Sequence, residues 1–215
     1  TNSFNINGNI FARGGTADSN TCPTSGNGIR GNGGSVNITN RNALAITGSI
    51  ETNPGEVSAC RSGVYKKSEI YAQKITGTNI KVAGIINASN ITITGVYGVD
   101  DNGNEGASGK RNNGQNLTIN ADILNLSSTG SISGTGHSLR DAQSQFAGAG
   151  DAINITANTI YFDGNISLDG GDHSNAAIGG NDGNTGNGGH AGTVSLKITN
   201  SFNINGNIFA RGGTA

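Results

Sequence analysis

The first seventeen residues, TNSFNINGNIFARGGTA, return without a single change as residues 199–215. An identity of that length fixes a period of 198 residues. Strict self-similarity is the mark of a repeat architecture, in which each unit buries its apolar face against the next. The chain is read as one period plus the opening of the next, a natural tandem array rather than an artificial duplication. Methionine is absent, so the sequence is expected to be a segment of a longer or processed chain.

Inside the period lies a second, weaker repeat. Val194, Leu196 and Ile198 are followed by Phe202, Ile204, Gly206 and Ile208, while Val36 and Ile38 are followed by Leu44, Ile46, Gly48 and Ile50. Ile153 and Ile155, then Ile160, Phe162, Gly164 and Ile166, repeat the pattern one residue shorter. Leu117, Ile119, Leu124, Leu126 and Ile132 form a looser copy. Residues 70–97 hold a fifth around Ile80, Val82, Ile86, Ile91 and Ile93, dense enough in apolar residues to hold two short turns. Each copy alternates apolar with Asn, Thr, Ser or Lys, the period of a strand with one buried face. Gly and Asn fall between the strands, and the reading places corners with positive φ there.

No copy can bury its apolar side chains alone. Stacked copies can, with Phe4, Leu44, Ile160 and Phe202 on one internal rank and Ile6, Ile46, Phe162 and Ile204 on the next. The expected fold is all-β: one continuous right-handed parallel β-helix, or β-solenoid, over residues 1–215. It has about five coils per repeat and advances on the order of 24 Å per period. Gly/Asn-rich stretches at 11–34, 51–69, 98–115, 133–151 and 169–193 are read as long loops projecting from the coils. Their phrases at 31–34, 148–150 and 186–189 are expected to stack on one another.

Composition supports a β fold. Ile outnumbers Leu 24 to 7, so the apolar set is β-branched and helix propensity is poor. The apolar fraction lies near the range where chains stay disordered, but disorder also needs high net charge, and here it is −1. That balance offers no electrostatic footprint for nucleic acid. No apolar run approaches the roughly 18 residues of a membrane span, and no signal segment is visible. An extracellular or cell-surface location is expected.

The phrases GGSVNIT at 33–39, GQNLTINA at 114–121, LSSTGSIS at 126–133 and GDAINITA at 150–157 resemble the repeats of filamentous-haemagglutinin-like adhesins. The resemblance implies a large secreted β-helical fibre on a bacterial surface, exported in many members by a two-partner system. Two features depart from the pattern. The coils are about twice the usual length, because of the loops, and the 198-residue identity is unusually strict.

Candidate chemistry is sparse. Asp100 and Asp101 are the only adjacent acids and sit in the turn-forming run VDDNGNE, so no catalytic residue is assigned and no enzymatic turnover is expected. Asp169, Asp172, His173, Asp182 and His190 share one stretch with oxygen and nitrogen donors. The run at 179–186 lacks a recurring calcium nonapeptide, however, and Asp100 to Glu105 misses the EF-hand spacing. Neither a metal nor a cofactor is assigned. Cys22 and Cys60 lie 38 residues apart, near one coil, each after a Gly-x-Ile strand. A loop-to-loop disulfide between them is expected. Sequons at Asn37, Asn87, Asn90, Asn116, Asn125, Asn154 and Asn165 are about as many as chance gives and do not argue for glycosylation. Outward Asn37, Thr39, Thr92, Thr94, Asn154 and Thr156 suit polar ladders, with Asn amides stacked from coil to coil. The run from Arg61 to Lys67, with Tyr65 and Tyr71, is balanced by Glu56 and Glu69 and reads as a solvated loop.

The function expected is mechanical: a structural repeat of a surface filament whose partners are further copies of itself. The alternatives are an adhesin stalk whose loops bind a surface glycan and, third, a polysaccharide-active β-helix enzyme.

Overall fold

The structure is a computed structural model that describes residues 3–14, 32–52, 66–99, 116–136, 149–172 and 188–214. Within them lie thirteen strands and no helix: β1 Phe4–Ile6, β2 Ile10–Phe11, β3 Asn37–Thr39, β4 Ala43–Glu51, β5 Ser68–Lys81, β6 Gly84–Ile93, β7 Val96–Gly98, β8 Asn116–Leu126, β9 Ser131–Ser133, β10 Ala152–Phe162, β11 Asn165–Ser167, β12 Thr193–Ile204 and β13 Asn207–Phe209. All pairing among them is parallel and joins one sheet.

The alternation of apolar and polar residues explains the strands, and its interruptions explain where they turn. Along β10, Ile153, Ile155 and Ala157 are buried at every second position, and the next buried residue is Ile160, three on. A shift of one breaks the period of two, so the chain must swing before its next apolar residue can point inward. The register with β12 slips at that place. A second break, at Asp163 and Gly164, precedes the buried Ile166 of β11. Each tier from that of β3 and β4 onward therefore has three short arms whose inner side chains meet in one core.

The inner positions form continuous ranks. Along the first arm Ile38, Ile70, Ile86, Ile119, Ile155 and Leu196 align in that order. The second arm stacks Phe4, Leu44, Ile75, Ile91, Leu124, Ile160 and Phe202. Beside them stand Ile6, Ile46, Gly77, Ile93, Leu126, Phe162 and Ile204. The two ranks expected from the sequence are thus in register. β5 and β6 pair with each other over nine positions, so residues 70–97 supply two successive tiers. Each fully buried Ile contributes about 1.5–3 kcal/mol, and its branched Cβ suits the pleat.

One position breaks the rank. Gly77 stands where its neighbours carry Ile, and the gap is filled from the third arm by Tyr97, which is fully buried. A Cβ added at Gly77 would lie 2.6 Å from the Tyr97 hydroxyl. That hydroxyl has no hydrogen-bond partner among the described residues, and burial raises its pKa far above the ordinary tyrosine value.

The corner glycines serve close approach rather than positive φ, which corrects the sequence reading. Among the described residues positive φ is confined to Gly84 (133°) and Gly98 (157°). At the corner between second and third arms a Cβ on Gly164 would lie 2.1 Å from the Gly130 carbonyl oxygen, and one on Gly206 1.7 Å from that of Gly164. Gly48, Gly95 and Gly130 are crowded in the same way. Successive backbones touch here, and a methyl group has no room.

Candidate functional site

The outer edges of the tiers are tied by side chains reaching one strand along. Asn158 donates to the Asp122 carboxylate (3.2 Å) and accepts from Thr199 (2.7 Å). Thr78, Thr94 and Thr129 donate their hydroxyls to the carbonyls of Gly48, Gly77 and Thr94. Asn37 and Asn79 accept the backbone N–H of Glu69 and Val96. Of the outer positions expected to form polar ladders, Asn37 and Thr94 are tied in this way, and the partners along the edges are mixed. Asn207 donates to Asn165 across 3.1 Å, whereas Asn205 donates to Asp163 across 2.8 Å. An asparagine amide has a donor and an acceptor to place, and Asp, Thr or a backbone N–H serves one half as well as another Asn.

The ladders reach the two outermost tiers and differ there in direction. In the tier of β1 and β2, the Asn7 side-chain oxygen accepts from Thr47 Oγ1 (3.3 Å) and that of Asn9 from Ser49 N–H (2.9 Å). Arg13 forms an ion pair with Glu51 and lies 4.1 Å over the Phe11 ring. In the tier of β12 and β13, Arg211 is paired with Asp169 at 2.7 Å and lies 5.0 Å from the Phe209 ring centre. Apolar side chains are left open on both tiers. Phe4 is 53% and Phe202 44% exposed, against 1% for Leu44 and Ile160 on the same rank.

Two of the acids considered as metal ligands, Asp169 and Asp172, have other partners. Asp169 accepts from the Arg211 backbone N–H and guanidinium. The guanidinium hydrogen bond is the main cause holding its carboxyl below the usual range. Asp172 accepts from the Thr214 N–H (2.8 Å) and hydroxyl (3.0 Å), and the backbone hydrogen bond leads its downward shift. His190 is exposed, and its carbonyl accepts from Gly150 N–H. No group of three or more His, Cys, Asp or Glu that could hold a metal occurs among the described residues. His173, Asp182, the run at 179–186, Asp100, Asp101 and Glu105 lie outside those residues, as do Cys22, Cys60, Glu56, Arg61 and Tyr65.

Lys67 pairs with Glu69 at 3.2 Å at the exposed foot of β5, and Tyr71 is half-buried beside them. Six of the seven sequon asparagines are exposed on outer strand faces, and Asn125 is half-buried. A shallow groove of about 310 Å³ crosses the first corner, lined by Ser3, Asn42, Gln73, Lys74, Ser89 and Asn90. Its one charged lining residue is Lys74. Among the described residues no helix is long and apolar enough to cross a membrane.

Of the glycine phrases expected to stack on one another, the described residues show only the feet, and Gly34 N–H donates to Ala12 rather than to another phrase. Gly150 N–H donates to His190, Gly189 to Gly171 and Gly213 to Gly189. A Cβ on Gly170 would meet the Gly189 carbonyl at 2.1 Å. Sequence reasoning overlooked Arg13 and Arg211, although their recurrence two residues after a phenylalanine at both ends was on view. Comparison with protein-family models, with curated proteins and with solved structures returns no match to this chain.

Proposed function

We propose that this chain is a structural segment of an extracellular or cell-surface fibre, a right-handed parallel β-solenoid that gives a stiff rod for adhesion or for cohesion of a matrix or biofilm. The observation that carries the reading is the rank from Phe4 to Phe202. Six steps of one strand each bring residue 202 onto the inner position held by its duplicate, residue 4. A repeat that closes on the same rank can be continued indefinitely without a fault in the ladder. The period then holds six coils rather than five and advances about 29 Å at the usual spacing between strands.

The mechanism follows from the ladders. Backbone hydrogen bonds run along the rod axis, stacked Ile and Phe keep water from them, and edges exist only at the ends. The resemblance of the strand phrases to filamentous-haemagglutinin-like repeats supports the surface location. A loop-to-loop bridge between Cys22 and Cys60 is part of the proposal. Cryo-electron microscopy of native material tests it. A filament with ~4.8 Å coil spacing and an axial period of about 29 Å is expected, and discrete particles without an axial period would refute the rod.

A further inference from the structure

The outer face of the second arm differs from the rest of the described surface. Its middle column runs Ala45, Thr76, Thr92, Asn125, Tyr161 and Asn203 from tier to tier and holds no charge. The first arm, by contrast, carries Glu69 and Lys197 on its outer side, and the third Glu51 and Lys81. Two apolar side chains stand open on the second-arm face, Tyr161 at 47% and Ile123 at 42%. Their strands are paired on both sides, β8 between β6 and β10, and β10 between β8 and β12. The exposure is therefore that of a sheet face and not of a sheet end. Both corners bordering the face are short, and the residues outside the described set all fall in sequence between a third arm and the next first arm.

Size is distributed unevenly along this face. Ile123 and Tyr161 lie on β8 and β10, whereas β4 and β5 present Ala43, Ala45 and Thr76 beside the groove of about 310 Å³. A two-fold axis along the stack would set Tyr161 against its own copy and Ala45 against Ala45, large on large with a gap below. A two-fold axis perpendicular to the stack, between β6 and β8, sets β10 against β5, β8 against β6 and β12 against β4. Tyr161 then meets Thr76, Asn203 meets Ala45, and Ile123 meets the groove at Asn90.

From this self-complementarity we infer that the outer face of the second arm binds a second copy of this chain, rod beside rod and antiparallel. The inference rests on the fibre reading and deepens it, because it names the lateral partner of the rod. The contact is isologous, so each Tyr161 ring gains the Lys74 of the other copy at its edge. A charge-free centre holding an aromatic side chain, with Lys74 and Asp163 at the margins, has the make-up of an interface core and rim. Six tiers span about 29 Å and five residues of an arm about 16 Å, so one repeat offers roughly 460 Å² to its partner. A stable pair takes about 800 Å² from each side. One repeat is thus a transient contact, and two in tandem pass the threshold, so pairing strengthens with the number of repeats.

The test mixes two variants of the whole 215-residue chain, Ala45→Cys and Asn203→Cys, near millimolar concentration and oxidises them with diamide. The parent chain controls for Cys22 and Cys60. A disulfide dimer joining the two variants is expected, about tenfold more abundant than either variant's dimer with itself. Adding Tyr161→Ala to both, at an exposed position, should cut that product about tenfold with the β spectrum unchanged. No mixed dimer above the parent background, self-dimers as abundant as mixed ones, or a yield indifferent to Tyr161→Ala would overturn the antiparallel pairing. Native fibres that keep the axial period but run singly would overturn it while leaving the rod standing. The mixed dimer in material that lacks an axial period would refute the rod and leave the contact between faces supported.

Discussion

Replacing Gly77 by alanine tests how the core closes where its rank of isoleucines is interrupted. The added methyl would stand 2.6 Å from the Tyr97 hydroxyl, while its next neighbours, Ile46 Cβ and Tyr97 Cε1, lie at 3.5 Å, ordinary contact. Tyr97 is fully buried and cannot swing clear, so Gly77→Ala should cost about 2 kcal/mol, the middle of the range for overpacking. In a chain of this size that lowers Tm by about 4–8 °C. Tyr97→Phe removes a buried hydroxyl without a partner and should stabilise by about 1 kcal/mol, less than the full desolvation penalty because some contacts go with it. In the double variant the methyl enters the vacated space. Alanine restricts the unfolded chain by about 0.4–1 kcal/mol relative to glycine, and the buried methyl adds about 0.8 kcal/mol. The combination should exceed wild type by roughly 2 kcal/mol, and so a coupling of about 3 kcal/mol, at the top of the usual range. Urea denaturation of the four proteins at constant m measures it. Effects that add to within about 0.5 kcal/mol would mean that the hydroxyl does not fill the Gly77 gap.

Burial raises the Tyr97 pKa in the folded chain, so the stability it contributes is complete below the unfolded value near 10 and is lost as pH rises beyond it. The loss in alkaline titration should be smaller in Tyr97→Phe, and equal loss in both would refute the assignment. Gly164→Ala forces a Cβ to 2.1 Å from a neighbouring carbonyl and should cost about 3 kcal/mol by thermal unfolding; a neutral substitution would show that the corner can relax. Asp169 is held below its ordinary pKa mainly by Arg211, so the tie it makes is present above about pH 3.9 and lost as pH falls through the lower folded value. Hydrogen exchange at Arg211 N–H, which donates to Asp169, should therefore quicken on acidification relative to Ile160, and unchanged relative protection would count against the tie. Non-reducing mass spectrometry should find Cys22 joined to Cys60, and two free thiols would exclude the bridge.

The inner ranks were legible because a period of two with Ile at alternate places has one solution when strands are this short. Phe4, Leu44, Ile160 and Phe202 could be aligned by eye for that reason. Gly77 and Tyr97 were not legible as a pair. Nothing local links a glycine in one arm to a tyrosine twenty residues later, and their match is a matter of volume in three dimensions. The corner glycines were found but given the wrong cause. A glycine needed for φ and one needed for contact look the same in sequence, and only the distance to the Gly130 carbonyl separates them. Asp169 was seen as a metal-ligand candidate because acids in a glycine-rich stretch invite that thought, whereas its partner Arg211 lies 42 residues away.

Equal steps along the second-arm rank consume unequal lengths of chain: sixteen residues from Ile75 to Ile91 but 42 from Ile160 to Phe202. Height along the axis is therefore independent of how much polypeptide lies between tiers. Tension applied along the stack of strands would be carried by the ladder and the ranks. A difference of that size in connection length leaves the strand pairing of successive tiers intact. Such a chain can diversify its exterior under selection while its spine stays under a separate and much stricter constraint.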